Sequence, residues 1–210
     1  VLEIVKAGGW LMLPIMLCSV AALAITLERF FALSPKKIVP PNLVAQVWGW
    51  VKNNQLDANK LRDLRQGSPL GLLLATAIIN ARHGREVMRE SIESASSVVL
   101  LELERYQNAL GTVALIAPML GLIGSVFGIM QVFNDIRIHG SGDAAALAGG
   151  IAEALITTAS GLVVAVPATM VHRYFNGRIG SLVVQLEQES VKLVDAMLGE
   201  RDGEPKENWP

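Results

Sequence analysis

One carboxylate sits where a charge is expensive. Glu153 is the sole ionisable residue of the apolar stretch 144–171, in the run Gly149-Gly150-Ile151-Ala152-Glu153-Ala154-Leu155-Ile156-Thr157-Thr158. After it no charge appears until His172 and Arg173. An ionised carboxylate in hydrocarbon costs on the order of 3 kcal/mol by insertion scales, and more by other estimates. Such residues face a bundle interior or a polar path and usually mark an ion or proton route. Hydroxyls gather nearby. Thr157, Thr158 and Ser160 follow on the same stretch, and Ser125 is the polar group midway along the stretch before it. On a helix, Thr157 lies one turn from Glu153 on nearly the same face. Thr158 lies about 140° around from Glu153 and about 7.5 Å further along. Glu153 and Thr158 therefore cannot both point down one narrow axis; a wide interior surface, or one facing two neighbours, accommodates both. The plainer readings are a Glu snorkelling to a nearby interface and hydroxyls bonded to their own backbone four residues earlier.

These groups need elements that hold them in a membrane. The chain has 210 residues, 51% hydrophobic and 18% charged, with a mean hydropathy of +0.42. That is too apolar for an ordinary soluble domain, and the apolar residues come in blocks. Residues 7–27 and 109–134 carry no charge, and 144–171 carries only Glu153. Each block is long enough for a spanning helix of roughly 20 residues. A fourth uncharged run, 66–81, falls short and reads as a buried helix packed against others. The first block is longer than the apolar core of a signal peptide and has only Lys6 before it as a positive charge. Small residues recur four apart: Ala117 with Gly121, Gly124 with Gly128, Gly150 with Ala154, Gly161 with Ala165. That spacing lets helix backbones approach closely in lipid. Pro118 is expected to kink the second span and free a carbonyl, and Pro167 falls near the end of the third. Tight packing without any transport role also explains every one of these glycines.

The layout is that of an all-α membrane protein with three transmembrane helices and long cytoplasmic helical extensions. A first transmembrane helix occupies 1–33 and a cytoplasmic helical domain 34–84. One long helix at 85–133 includes the second span. A periplasmic loop comes next at 134–143, then the third span with its cytoplasmic extension at 144–198, and a polar tail at 199–210 that frays. Asn42 and Asp57 are candidate helix caps, Ser68-Pro69 opens a further helix and Gly84 ends it. Val87, Ser91, Ala95, Val98, Val99, Glu102 and Tyr106 lie near one face of the long helix. Ile179, Leu182, Val183, Leu186, Leu193, Val194 and Met197 form a stripe on the extension after span three, so the two extensions are expected to pack together. Lys and Arg cluster between spans one and two and after span three, whereas the segment between spans two and three holds only Arg137. The positive-inside rule then puts the large loop and the C-terminus in the cytoplasm, and the N-terminus and the 134–147 segment on the other side. Net charge is −1, so no basic surface for nucleic acid is expected. Cys18 stands alone, and His83, His139 and His172 are far apart, so neither a metal nor a cofactor site is expected.

The run Ala117-Pro118-Met119-Leu120-Gly121-Leu122-Ile123-Gly124-Ser125-Val126, followed by Leu147-Ala148-Gly149-Gly150-Ile151-Ala152-Glu153-Ala154-Leu155-Ile156-Thr157-Thr158-Ala159-Ser160-Gly161-Leu162, resembles the paired signature of the MotA/TolQ/ExbB proton-channel family. Glu28-Arg29-Phe30 at the end of the first span resembles it too. The match covers spans two and three closely and the rest by topology. Within the family the ExbB branch is the most similar. The flagellar branch typically has four spans and lacks the Glu, while the TolQ branch shares it. The resemblance implies an inner-membrane ring, generally a homopentamer, around a dimer of ExbD-like single-span partners, acting on a TonB-like protein. The partner's membrane Asp would be the principal proton carrier. It implies that Glu153, Thr158 and Ser125 line the proton path, with Thr157 beside them, and that the protein is no enzyme. Ser125 stands where Thr is more usual, and Ser160 where Ala is common. A passive scaffold for a single-span partner is the alternative class, and a secondary transporter is disfavoured because three spans show no internal repeat. Three helices of one chain cannot enclose a pore and shield its backbone, so a channel requires an oligomer, a partner or both. With single cysteines, an impermeant thiol reagent should reach position 139 from the periplasmic side and positions 105 and 178 only from the cytoplasm. Labelling of position 139 from the cytoplasm alone would reverse the topology.

Overall fold

The computed structural model describes residues 8–139 and 144–203. Among them every regular element is helical: α1 (Met12–Ala32), α2 (Pro35–Ile38), α3 (Leu43–Lys52), α4 (Ala58–Gly67), α5 (Pro69–Ile79), a 3₁₀ turn (Ala81–His83), α6 (Arg85–Leu103), α7 (Gln107–His139) and α8 (Ala144–Gly203). They form two compact units, one of Val1–Arg29 with Tyr106–Asn176 and one of Phe30–Arg105 with Gly177–Pro210. Among the described residues three helices are long and apolar enough to cross a membrane, within Met12–Ala32, Gln107–Ile138 and Leu147–Gly199.

In the first unit α1 buries Met12, Ile15, Ala22 and Arg29. Its other faces carry exposed Leu13, Leu17, Val20, Leu23 and Leu27, a surface that suits lipid, whose tails are as apolar as Leu. α1 starts later than the apolar block does. Gly9 takes φ +67°, and the Met12 N–H closes a turn on Gly9 O at 3.3 Å. α7 and α8 run antiparallel, since Gly111 meets His172 at one end of their contact and Gly128 meets Gly150 at the other. Pro118 and Pro167 lie inside uninterrupted helices.

Several expected boundaries move. The segment 85–133 is two helices rather than one, divided at Glu104 to Tyr106. No Gly or Pro breaks it. The Arg105 N–H turns back to Glu102 O at 3.3 Å, three residues away, the tightening typical of a helix end. Contacts within the first unit hold the start of α7. The Arg29 guanidinium stands 4.9 Å over the Tyr106 ring, and Gln107, 2% exposed, donates to His172 O at 2.6 Å. α7 continues to His139 instead of stopping at Phe133, so the expected 134–143 loop is mostly helix. α8 continues through Gly203, beyond the expected end at Leu198. Residues 1–7, residues 140–143 of the expected loop, and residues 204–210 of the expected tail lie outside the described residues.

The second unit is built around α5. Leu70, Leu73, Leu74, Ala75 and Ala77 are each at most 1% exposed, as suits a helix apolar on all sides. Its start is capped by Ser68, whose Oγ accepts from the Gly71 N–H at 3.0 Å, with Pro69 at the first helical position. Asp57 caps α4 by accepting from the Ala58 N–H at 2.7 Å. Asn42 makes no cap bond; it takes the left-handed conformation, φ 65°, that turns the chain into α3. Gly84 does not end α5, which stops at Ile79; at φ 91° it leads from the 3₁₀ turn into α6. α6 buries Met88, Ile92, Ser96, Val99 and Leu103, the face beside the one read from sequence, leaving Val87 and Val98 exposed. Opposite lie buried Ile179, Leu182, Leu186, Leu193 and Val194 of α8. Ser96 Oγ donates to Glu187 Oε1 at 2.9 Å across this contact. Arg85 and Asp195 pair at 2.7 Å, but both are half exposed, so the pair adds little. Leu73→Ala should cost about 2–5 kcal/mol and lower the melting temperature of the purified protein. Leu101→Ala, at a side chain 70% exposed, should leave it nearly unchanged.

Candidate functional site

α7 and α8 meet along five glycines. A Cβ on Gly161 would lie 2.6 Å from Ala117 O and 3.1 Å from Gly121 Cα. On Gly121 it would lie 3.1 Å from both Thr157 O and Thr158 Cα, and on Gly124, 2.7 Å from Thr157 Cβ. On Gly128 it would lie 2.9 Å from Ala154 Cβ and from Gly150 O, and on Gly150, 2.5 Å from Val132 Cγ2. These are approaches that no other residue permits without displacement. The seam therefore occupies Gly121, Gly124, Gly128, Gly150 and Gly161 completely. Pro118 is partly exposed beside buried Ala117, and Pro167 is exposed on the outer face of α8.

The polar groups sit on and beside this seam. Thr157 is fully buried. Its Oγ1 donates toward Glu153 O at 2.7 Å and Gly8 O at 3.0 Å, and one hydroxyl proton serves both contacts. Its Cβ fills the space that Gly124 leaves open. Thr157 is thus inside the helix packing. Ser125 and Thr158 are partly buried and their hydroxyls are hydrogen-bonded to each other across the two helices. Thr158 Oγ1 also reaches Gly121 O and Ala154 O, each at 3.1 Å, and Ser125 Oγ reaches the same two oxygens at 3.3 and 3.5 Å. Ser125, Thr157 and Thr158 thus each have the plain bond to their own helix four residues back. That habit does not explain the contacts between helices. Two hydroxyls between two carbonyl acceptors can reverse the direction of donation with little movement of heavy atoms, which is what a relay of proton polarity needs.

Glu153 is partly buried on α8, and its carboxylate faces the turn before α1. A methyl on Gly9 would land on Glu153 Oε1 and lie 3.1 Å from Cδ. Among the described residues no cation pairs with this carboxylate, and no cluster of His, Cys, Asp and Glu could hold a metal. The structure brings Ser125 to Thr158 and puts Glu153 on the opposite flank of the seam, with Thr157 inside it between them.

Sequence reasoning missed two groups. One is the Gly8-Gly9-Trp10 turn against Glu153 and Thr157, anchored by Trp10 edge-on to Phe127 at 6.1 Å between centroids. Its signal was the Gly-Gly pair at the head of the first apolar block, a turn mark. The other is Gln107 with His172. Gly111 admits the His172 ring, since a Cβ there would lie 2.9 Å from Cε1. Gln107 Oε1 and His172 Nδ1 are buried without a hydrogen-bond partner among the described residues. A polar residue at the edge of the second apolar block was the only hint.

Comparison with known proteins points the same way. The family model described as the MotA/TolQ/ExbB proton channel family matches residues 64–188, more than half of the chain. The biopolymer transport protein ExbB of Salmonella typhimurium is 32% identical over 171 residues, covering 72% of this chain and 69% of its own length. A Synechocystis sp. protein named ExbB-like 1 is 31% identical over 169 residues, covering 79% of this chain and 66% of its own length. The ExbB of Neisseria gonorrhoeae is 30% identical over 128 residues, 61% of this chain and 58% of its own length. The chain thus spans about two thirds or less of these relatives. The matched region includes α7, α8 as far as residue 188, and with them Ser125, Glu153, Thr157 and Thr158, but not the turn before α1. Gly161→Ala gains about 1 kcal/mol of helix propensity but forces a methyl against a carbonyl oxygen, at about 1–3 kcal/mol, so a net loss of thermal stability is expected. Gly177→Ala, on the same helix with nothing within 4 Å of the new Cβ, should raise it.

Proposed function

Because the chain belongs to the MotA/TolQ/ExbB proton channel family, we propose that it is the ExbB-type subunit of a motor in the bacterial inner membrane, driven by the proton gradient. The family is one of proton channels, not of enzymes, and this chain is a membrane protein with three candidate spans. The observation that carries the reading is Glu153, a carboxylate on a spanning helix without a cation partner among the described residues, flanking a seam whose other side carries the Ser125–Thr158 hydroxyl pair.

In this reading several copies, five by family resemblance, form a ring around a dimer of ExbD-like single-span proteins. Protons pass between the partner's carboxylate and Glu153, and the resulting movement is delivered to a TonB-like protein that energises uptake across the outer membrane. The ExbB names of relatives at about 30% identity favour this over the TolQ-type role. The charge bias puts the N-terminus in the periplasm and the C-terminus in the cytoplasm. Each proton crossing releases about 2.3 kcal/mol per 100 mV, so one mechanical step draws on several. The scaffold alternative has one observation of its own: Ser125, Thr157 and Thr158 each already find a backbone acceptor on their own helix.

Glu153→Gln separates the two. It keeps shape and most hydrogen bonding but cannot ionise. Gradient-driven, partner-dependent uptake of an iron carrier should be abolished while the ring still assembles, and Glu153→Asp should retain part of it. Wild-type uptake by the Gln variant would leave Glu153 a structural group and support the scaffold.

A further inference from the structure

The turn before α1 contributes backbone, not a side chain, to the surroundings of Glu153. Gly9 holds φ +67°, a conformation that residues with a Cβ rarely adopt. The space a methyl would take there is already occupied by Glu153 Oε1, so no water fits between that backbone and the carboxylate. Gly8 is packed as tightly: a methyl on it would lie 2.6 Å from Met12 Cγ and 3.3 Å from Ile156 Cγ2. The turn is fastened at three points. Thr157 Oγ1 donates to Gly8 O at 3.0 Å. Trp10 packs edge-on to Phe127. Leu11, Met12 and Ile15 are each at most 5% exposed. Thr157 is one helical turn from Glu153, so the fastening and the carboxylate move with the same turn of α8.

We propose that Gly9 is a positioning residue for Glu153: the Gly8–Gly9 backbone bears on one oxygen of the carboxylate, fixes its place, and keeps water from that side, so that proton exchange occurs only from the opposite side. The functional part of this rests on the reading of Glu153 as a proton-carrying group. A reacting group held within a fraction of an ångström is worth much in rate, and a displacement of about 1 Å can cost on the order of 100-fold. A side chain at position 9 displaces the carboxylate. Shortening Glu153 by one methylene makes room for it again.

The test uses Gly9→Ala, Glu153→Asp and their combination in the full chain with its partners, reading gradient-driven uptake normalised to chain level in the membrane. Gly9→Ala should lower uptake on the order of tenfold or more, and the double variant should exceed Gly9→Ala alone. Gly84→Ala, also at positive φ but with nothing near its Cβ, should leave uptake unchanged. A double variant no better than Gly9→Ala alone would overturn the proposal. A second measurement does not depend on proton transport. Thr157→Val keeps the shape and removes the bond to Gly8, so labelling of Glu153 by dicyclohexylcarbodiimide should accelerate several-fold. An unchanged labelling rate would overturn the backbone contact even if Glu153→Gln abolishes uptake. Accelerated labelling would uphold it even if Glu153→Gln does not.

Discussion

Contact of backbone on backbone between α7 and α8 is the constraint on which the rest of the first unit depends. In lipid no hydrophobic force drives helices together, because the tails are as apolar as the side chains. Association then rests on close packing, and closeness rests on having no Cβ in the way. Gly161 against Ala117 O and Gly121 is the tightest approach to backbone along the seam. This fixes the rotation of both helices. On α8 the positions 150, 154, 157, 161 and 165 turn inward, and residues 153 and 158 fall on the two flanks of that stripe. The separation of about 140° between Glu153 and Thr158 thus places the carboxylate toward α1 and the hydroxyl toward Ser125. No single axis is needed to serve both.

How far the sequence reveals this depends on the range of the interactions. Features set within a few residues were legible. The three spans follow from length and apolarity, the caps at Asp57 and Ser68 from local bonding, and the stripe on α8 from periodicity. The glycine spacing indicated close packing, though not that five glycines would face one another across a single seam. Features set by distant partners were not legible. The division at Glu104 to Tyr106 contains no breaker, and Tyr106 and Gln107 are held by Arg29 and His172, far away in sequence. On α6, Val98 and Val99 are equally apolar neighbours, and only packing chooses Val99 for burial. Thr157 and Thr158 are the same residue type one position apart, yet one is sealed inside the seam and the other partly open.

That contrast weakens an argument from hydroxyl count. Threonines bonded to the carbonyl four residues earlier are ordinary in membrane helices, and Thr157 and Thr158 both do this. Thr157, moreover, is a spacer and tether. The weight therefore falls on Glu153. Even a partly buried carboxylate in a span costs more than any nearby hydroxyl returns, since a neutral hydrogen bond contributes about 1 kcal/mol against about 3 for the charge. On the proposed reading, a residue that costs the fold this much serves proton transfer rather than packing.

The same geometry says where a proton could not travel. Ala117 and Thr157 are fully buried, and the seam glycines leave no room for a methyl, still less for a file of water. Among the described residues the α7–α8 seam itself therefore holds no file of water. Ser125, Thr158 and Glu153 are reached only from the flanks, where the chain itself supplies one wall. Unpaired backbone and open polar surface are not stable against lipid, so on the proposed reading the opposite wall must come from another copy or a partner helix. A single chain is then half of a channel: its rigid seam holds the polar groups at fixed positions, and the surface that moves past them belongs to a different molecule.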